Sequence, residues 1–247
     1  MSGLSALLRA DAGHHAGAVR QQSVEPGVQE LISEKRHCAI AVQLRDGETV
    51  LVRPIRSADA SALVAFHDGL SAASVQNRFF ASHPHLSEDE ARRFVEVDGD
   101  RRVALVALTG DRIVGVARYE GLPAARSVEI AFVVADAFQR QGLGTRLFFL
   151  LAVLARTHGY ARLTAQVLAT NHRMLEIFLH CGLPLETHRE GEIVEIRIAL
   201  DGVLDEGTAD EMSQDIEIAT GGVVEKPADP DCCVRHARTD PLGRKLA

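Results

Sequence analysis

The chain has 247 residues, of which 46% are hydrophobic and 25% charged, with a formal net charge of −7. This is the balance of a globular protein, and the negative charge, the 4% aromatic content and the lack of tryptophan argue against a base-stacking nucleic-acid surface. The longest apolar run, LFFLLAVLA at 147–155, is too short to span a bilayer.

Along the chain, MSGLSALLRADAGHH has no basic region followed by an apolar one, so no signal peptide is expected. With four scattered cysteines, which fit a reducing compartment, this points to a cytoplasmic protein. Residues 1–48 read as a mostly irregular extension with one short helix near 27–35, and 49–200 as the folded domain. ETVLVRPI (48–55) reads as a strand ending at Pro54. Ser57 or Asp59 then caps a helix, SVQNRFF is a second short helix or turn, and Ser87 with Glu90 forms a capping box for another. RRVALVAL (101–108), RIVGVARYEG (112–121) and SVEIAFVVA (127–135) read as a three-strand meander with a hairpin turn at Gly110-Asp111. A helix over 144–158 is apolar on nearly every side and therefore predicted to be buried. YARLTAQVLA (160–169) is the next strand, 171–181 a helix, and LPLETHRE with EIVEIRIAL a final hairpin turning at Glu190-Gly191. The predicted order is βααβββαβαββ, an α/β chain (an α+β mixed sheet) with helices on both faces. Residues 201–247 hold 11 acids and 5 bases, −6 of the net charge, and read as a disordered acidic tail.

FQRQGLGTRL (138–147) lies between a strand and the buried helix. Gly142 and Gly144 allow backbone conformations that a Cβ would block and let amides approach a ligand closely. The helix start adds unpaired N–H groups and the positive end of a dipole, a setting for pyrophosphate. No Gly-Lys-Ser/Thr is present, and the third glycine of a dinucleotide fingerprint would fall on Leu147.

QRQGLG, Gln139–Gly144, resembles the Q/R-x-x-G-x-G/A signature of the GCN5-related N-acetyltransferase family, and the element order resembles that family's over about 50–200. RFFASHPHLSEDEARRFVEVDGDRRVALVA and VEIAFVVADAFQRQGLG are further similar to the catalytic domain of bacterial Pat-type protein lysine acetyltransferases. The resemblance implies a central, mostly antiparallel sheet with two splayed parallel strands, here 127–135 and 160–169, and acetyl-CoA as co-substrate without a metal. Its pyrophosphate would lie on the amides of Gln139, Arg140, Gln141, Gly142, Leu143, Gly144 and Thr145, and its pantetheine along Ala131, Phe132 and Val133. Asn171 matches the family's asparagine that contacts the CoA arm, and Arg173 is near enough in sequence to reach a phosphate; Asn171 is equally an N-cap, and Arg173 equally a solvated helix residue.

Transfer of an acyl group to an amine needs a neutral amine, although lysine titrates near ~10.4, together with a donor to the oxyanion. Alternation places Glu129, Ala131 and Val133 on one strand face, so Glu129 is the candidate base, with partial burial expected to tune it. The Pat-type resemblance implies the same role for Glu129 and places His67 near the acceptor. The sequence departs from the family at Phe178, where many members carry a proton-donating tyrosine. Cys232, Cys233 and His236 lack the spacing of a zinc site, and no metal is expected. The leading expectation is acetylation of protein lysines. A small-molecule amine acceptor and a non-catalytic acyl-CoA-binding regulator are the alternatives.

Overall fold

A computed structural model describes residues 39–82, 85–122 and 125–200. Eight strands form one sheet: β1 (Ile40–Gln43), β2 (Thr49–Pro54), β3 (Arg102–Thr109), β4 (Arg112–Gly121), β5 (Ser127–Val134), β6 (Arg162–Leu168), β7 (Leu185–Glu190) and β8 (Ile193–Ala199). Their order is β1-β2-β3-β4-β5-β6-β8-β7, and every pairing is antiparallel except β5 with β6. Among the described residues five α-helices complete it: α1 (Ala60–Asp68), α2 (Ala72–Phe79), α3 (Glu88–Val95), α4 (Leu143–Thr157) and α5 (His172–Leu179).

The sheet is covered on both faces. Ala117 and Tyr119 of β4, with Ile130 and Phe132 of β5, join the core built around α4. Ala104 and Val106 of β3 join Leu63 and Phe66 of α1 and Ala91 and Val95 of α3 on the other side. In α4, nine of 15 residues are buried. An apolar girdle that wide is stable only at the centre of a core, and each fully buried leucine there contributes about 1.5–3 kcal/mol.

The observed order departs from the expected one at two places. All of SVQNRFF but its last residue lies in a regular helix, α2, capped by the Ser71 hydroxyl on the Ser74 N–H at 3.2 Å, so three helices rather than two separate β2 from β3. The sheet also starts before residue 49: β1 pairs Ile40 to Val52 and Gln43 to Thr49, within the stretch read as irregular extension. Four residues are too few to show a period, and their burial depends on β2 beside them. The short helix expected near 27–35 and the acidic tail lie outside the described residues.

The entry to α1 also differs from expectation. Neither Ser57 nor Asp59 caps the helix through its side chain. A 3-10 turn over Ser57–Asp59 buries the Asp59 carboxylate instead, where it accepts from Arg53 Nη1 at 2.7 Å, Arg53 Nη2 at 2.8 Å and the Arg56 N–H at 2.7 Å. Burial pushes the Asp59 carboxyl up, but these bonds and the arginine charges outweigh it and hold the group below the usual carboxylate range. The capping box of α3 forms as expected, with the Ser87 N–H donating to Glu90 Oε2 at 2.9 Å.

Candidate functional site

The strands β5 and β6 pair at only three rungs, Ser127–Arg162, Val128–Leu163 and Glu129–Thr164. Beyond Glu129, β5 continues to Val134 on β4 alone, and β6 continues to Leu168 on β8 alone. The strands therefore part after the Glu129–Thr164 rung. Along the parted stretch, backbone groups of β5 that would bond β6 face a gap. Ala131 and Val133 lie in this stretch on the same face as Glu129, while the Phe132 side chain turns into the core. An extended ligand chain could bond there as an added strand.

The loop before α4 closes one end of this gap. Gly142 has φ +88° and Arg140 φ +65°. A side chain at 142 would be strained by that conformation alone, since the nearest atoms to an added Cβ lie 3.8 Å away on Arg45. Gly144 works differently from expectation: its role is close packing, since an added Cβ would stand 3.2 Å from Ile177 Cδ1 and 3.7 Å from Phe132 Cε2. The loop is anchored by the Arg45 N–H on Gln141 O at 3.1 Å. The first helical bond of α4 runs from the Arg146 N–H to Gly142 O at 3.1 Å. The amides of Leu143, Gly144 and Thr145 are thus at the open end of a buried helix, where its dipole favours an anion. Leu143 itself is fully buried and can contribute only its backbone.

Side chains around the loop form a network that sequence reasoning missed. Gln139 Nε2 donates to Ser74 Oγ at 3.0 Å and to Val134 O at 3.1 Å, and its Oε1 accepts from Arg173 Nη1 at 2.7 Å. Asp136 accepts from the Ser71 N–H at 2.9 Å, the Ser71 hydroxyl at 2.8 Å and the Ser74 hydroxyl at 2.9 Å. Burial pushes the Asp136 carboxyl up, and those bonds outweigh it to hold it below its ordinary value. Arg173 therefore reaches the loop through Gln139. Asn171 caps α5, its Oδ1 accepting from the Met174 N–H at 3.2 Å.

Glu129 is exposed, contrary to the expected partial burial. Its neighbours across the sheet lie in the β4 register, where Glu120 pairs with Glu129, Arg118 with Ala131 and Val116 with Val133. Two carboxylates directly opposite repel, which a purely structural sheet avoids. His67, on α1, is 3% exposed and stacks edge-on to Phe79 with ring centroids 5.6 Å apart. It lines a cleft of about 50 Å³ together with Arg78, Arg118 and Val133. The cleft thus brings His67 to the face of the sheet that carries Glu129. Alternation along RIVGVARYEG already sets Val116, Arg118 and Glu120 on one face; Arg78 gives no comparable signal, because its place depends on how α2 docks.

Phe178 is 1% exposed, with ring centroids 5.9 Å from Phe132 and 5.4 Å from Phe148. Of the adjacent polar residues, His180 Nδ1 lies 3.0 Å from Glu176 O, and Cys181 is a buried free thiol that burial pushes up. No cluster of residues that could hold a metal occurs among the described residues; Cys232, Cys233 and His236 lie outside them. Among the described residues no helix is long and apolar enough to cross a membrane.

A parted pair of parallel strands, an amide-rich turn at the start of a central helix and a mostly antiparallel sheet together define the acyl-CoA N-acyltransferase fold. The chain belongs to the GNAT family of acetyltransferases, a class that takes its acyl group from acetyl-CoA. Residues 71–183 match the profile of the Acetyltransferase (GNAT) family. The Pseudomonas aeruginosa acetyltransferase PA5475 is 30% identical over 143 residues, covering 56% of this chain and 77% of that protein. The GNAT domain of S. lividans PAT is 36% identical with a TM-score of 0.61, covering 65% of this chain and 96% of that domain. A spermidine N-acetyltransferase from Vibrio cholerae, solved with CoA and spermine, shares the fold at 15% identity and a TM-score of 0.52, covering 63% of this chain and 98% of that one.

Proposed function

We propose that the protein transfers the acetyl group of acetyl-CoA to the side-chain amine of protein lysines, with Glu129 as general base. The observation that carries this reading is the end of β5–β6 pairing at Glu129, which stands exposed where the gap opens. The pyrophosphate lies on the loop amides from Gln139 to Thr145, and pantetheine runs along Ala131–Val133 as an added strand. This puts the thioester near Glu129. Asn171 and Arg173 flank the arm of the co-substrate, and His67 lies on the acceptor side.

The residues then have separable tasks. Glu129 takes a proton from the incoming lysine ammonium, directly or through one water, so that the neutral amine attacks the thioester carbonyl. Amides on the gap side of β5 donate to the oxygen that gains charge. The bond between carbonyl carbon and sulfur breaks, the acetyl group passes to nitrogen, the nitrogen releases its second proton to solvent, and the thiolate takes a proton from solvent, because the Phe178 ring cannot donate one. An exposed Glu129 favours a peptide over a small amine, because a lysine on a protein surface needs an open approach. The test is release of free thiol from acetyl-CoA in the presence of lysine peptides, small amines or no acceptor, with Glu129→Gln as the control. Thiol release only with small amines would replace the protein-lysine reading, and undiminished release in Glu129→Gln would remove Glu129 as base.

A further inference from the structure

Arg78 of α2 and Arg118 of β4 line the same cleft of about 50 Å³ beside His67 and Val133. Each guanidinium is held over an aromatic ring: Arg78 Cζ lies 5.1 Å from the centroid of Phe79, and Arg118 Cζ lies 4.9 Å from that of Phe94. Both side chains are half-buried, and neither has a hydrogen bond or ion pair with a carboxylate among the described residues. Burial and the Arg118 charge lower Arg78 to about 10, with the Glu129 carboxylate acting the other way. Burial likewise lowers Arg118, with Glu120 opposing it and Arg102 adding to it. Two like charges side by side in an apolar cleft cost free energy that a bound anion offsets. Ring stacking leaves their planar forks preorganised for a carboxylate.

The position is informative as well. Arg118 stands opposite Ala131, one step along the sheet face from the Glu120–Glu129 rung, and is therefore a diagonal neighbour of Glu129, a separation of about 7–8 Å. That is the reach between an amine at Glu129 and an acidic group carried nearby on the same molecule. The charge of the pair also opposes a polycationic acceptor.

We propose that Arg78 and Arg118 bind a carboxylate carried by the acceptor close to the amine that is acetylated, which makes this pair a specificity element. This rests on the acceptor amine being presented at Glu129. The carboxylate could belong to an acidic residue next to the acceptor lysine or to a small amino acid.

The experiment titrates the full chain calorimetrically with Gly-Glu-Lys-Gly and Gly-Lys-Glu-Gly against their glutamine counterparts, and with β-alanine against propylamine. The same compounds are then assayed for acetyl transfer. The acidic member of a pair should bind about tenfold more tightly, as expected for a charge-assisted pair. That preference should shrink to within about twofold in Arg118→Gln and in Arg78→Gln, with Arg118→Lys intermediate. A preference confined to the peptides assigns the carboxylate to a protein, and one confined to β-alanine assigns it to a small amine. Equal binding of acidic and neutral compounds to the wild type, or a preference unchanged in both glutamine variants, overturns the proposal. A preference for succinyl-CoA over acetyl-CoA that vanishes in Arg118→Gln also overturns it, by giving the pair to the acyl donor. Binding preference without transfer would leave the carboxylate site standing and remove the acceptor reading. Transfer without preference would do the reverse.

Discussion

Glu129 and Thr164 form the last parallel rung between β5 and β6, and the Thr164 hydroxyl donates to Val128 O at 3.2 Å just behind it. The point of divergence is therefore pinned by a side chain as well as by backbone pairing. A carboxylate at such a point has strand neighbours on β4 and β6, and the gap opens just beyond it. Glu129→Gln keeps the shape and removes the proton acceptor. We expect it to lower turnover about 10²- to 10⁴-fold, the range for loss of a general base, with acetyl-CoA affinity unchanged. Single-turnover kinetics beside equilibrium binding measures both quantities.

Gly142 and Gly144 should respond unequally to alanine. At Gly142 the φ of +88° is unfavourable for any L side chain, so Gly142→Ala should destabilise the fold by about 1–2 kcal/mol or reshape the loop. Either outcome raises the KM for acetyl-CoA. Gly144→Ala meets Ile177 Cδ1 at 3.2 Å, the end of a side chain that can turn aside, so its effect on melting temperature and KM should be the smaller. Equal KM values for the two variants would contradict the division of roles.

The Arg53–Asp59 pair is largely withdrawn from water, and removing one partner leaves the other charge uncompensated. Asp59→Ala should cost about 3 kcal/mol or more in urea unfolding. Because the folded Asp59 carboxyl is held below its unfolded value, its contribution is complete above the ordinary carboxylate pKa of ~3.9. It is lost as pH falls through the folded value. Wild-type stability should therefore fall more steeply with acid than that of Asp59→Asn, measured as unfolding midpoint against pH.

Asp136 joins the start of α2 to the loop through Ser71 and Ser74, and Gln139 continues the chain to Arg173. Asp136→Ala should cost about 1 kcal/mol in stability, since its bonds are exposed or only partly buried. The effect on function should be separate: a KM for acetyl-CoA raised roughly 3- to 10-fold as Gln139 loses its support. An unchanged KM would show that the loop holds its shape without the network.

Much of this was readable before any coordinates. Alternation in SVEIAFVV placed Glu129 with Ala131 and Val133, and the burial along β5 follows it from Val128 to Val134, with Ser127 buried against the pattern. The uniform apolarity of LFFLLAVLA marked α4 as central, and the observed helix covers Leu143–Thr157. What escaped depends on partners distant in sequence. Strand β1 has no period long enough to detect and exists through β2. The exposure of Glu129 depends on what covers that face of the sheet, which its own strand does not encode. Gly144 is a glycine for the sake of Ile177, 33 positions later. Arg78 and Arg118 meet only because α2 docks against the sheet beside β5, at the cleft both line.

The helix α4 begins just after Gly142 and is buried along most of its length, and this bears on how the molecule should respond when loaded. A ligand seated on its first amides is attached to the segment that opens last during native-state fluctuation, because such core elements exchange their amide hydrogens only through global unfolding. Acetyl-CoA should therefore slow deuterium uptake at Leu147, Leu151 and Leu154 by the full linkage factor 1 + [ligand]/Kd, although those leucines lie turns away from the loop. A ligand held by a surface loop alone would protect only the loop. Here occupancy and cooperative stability are coupled through one helix.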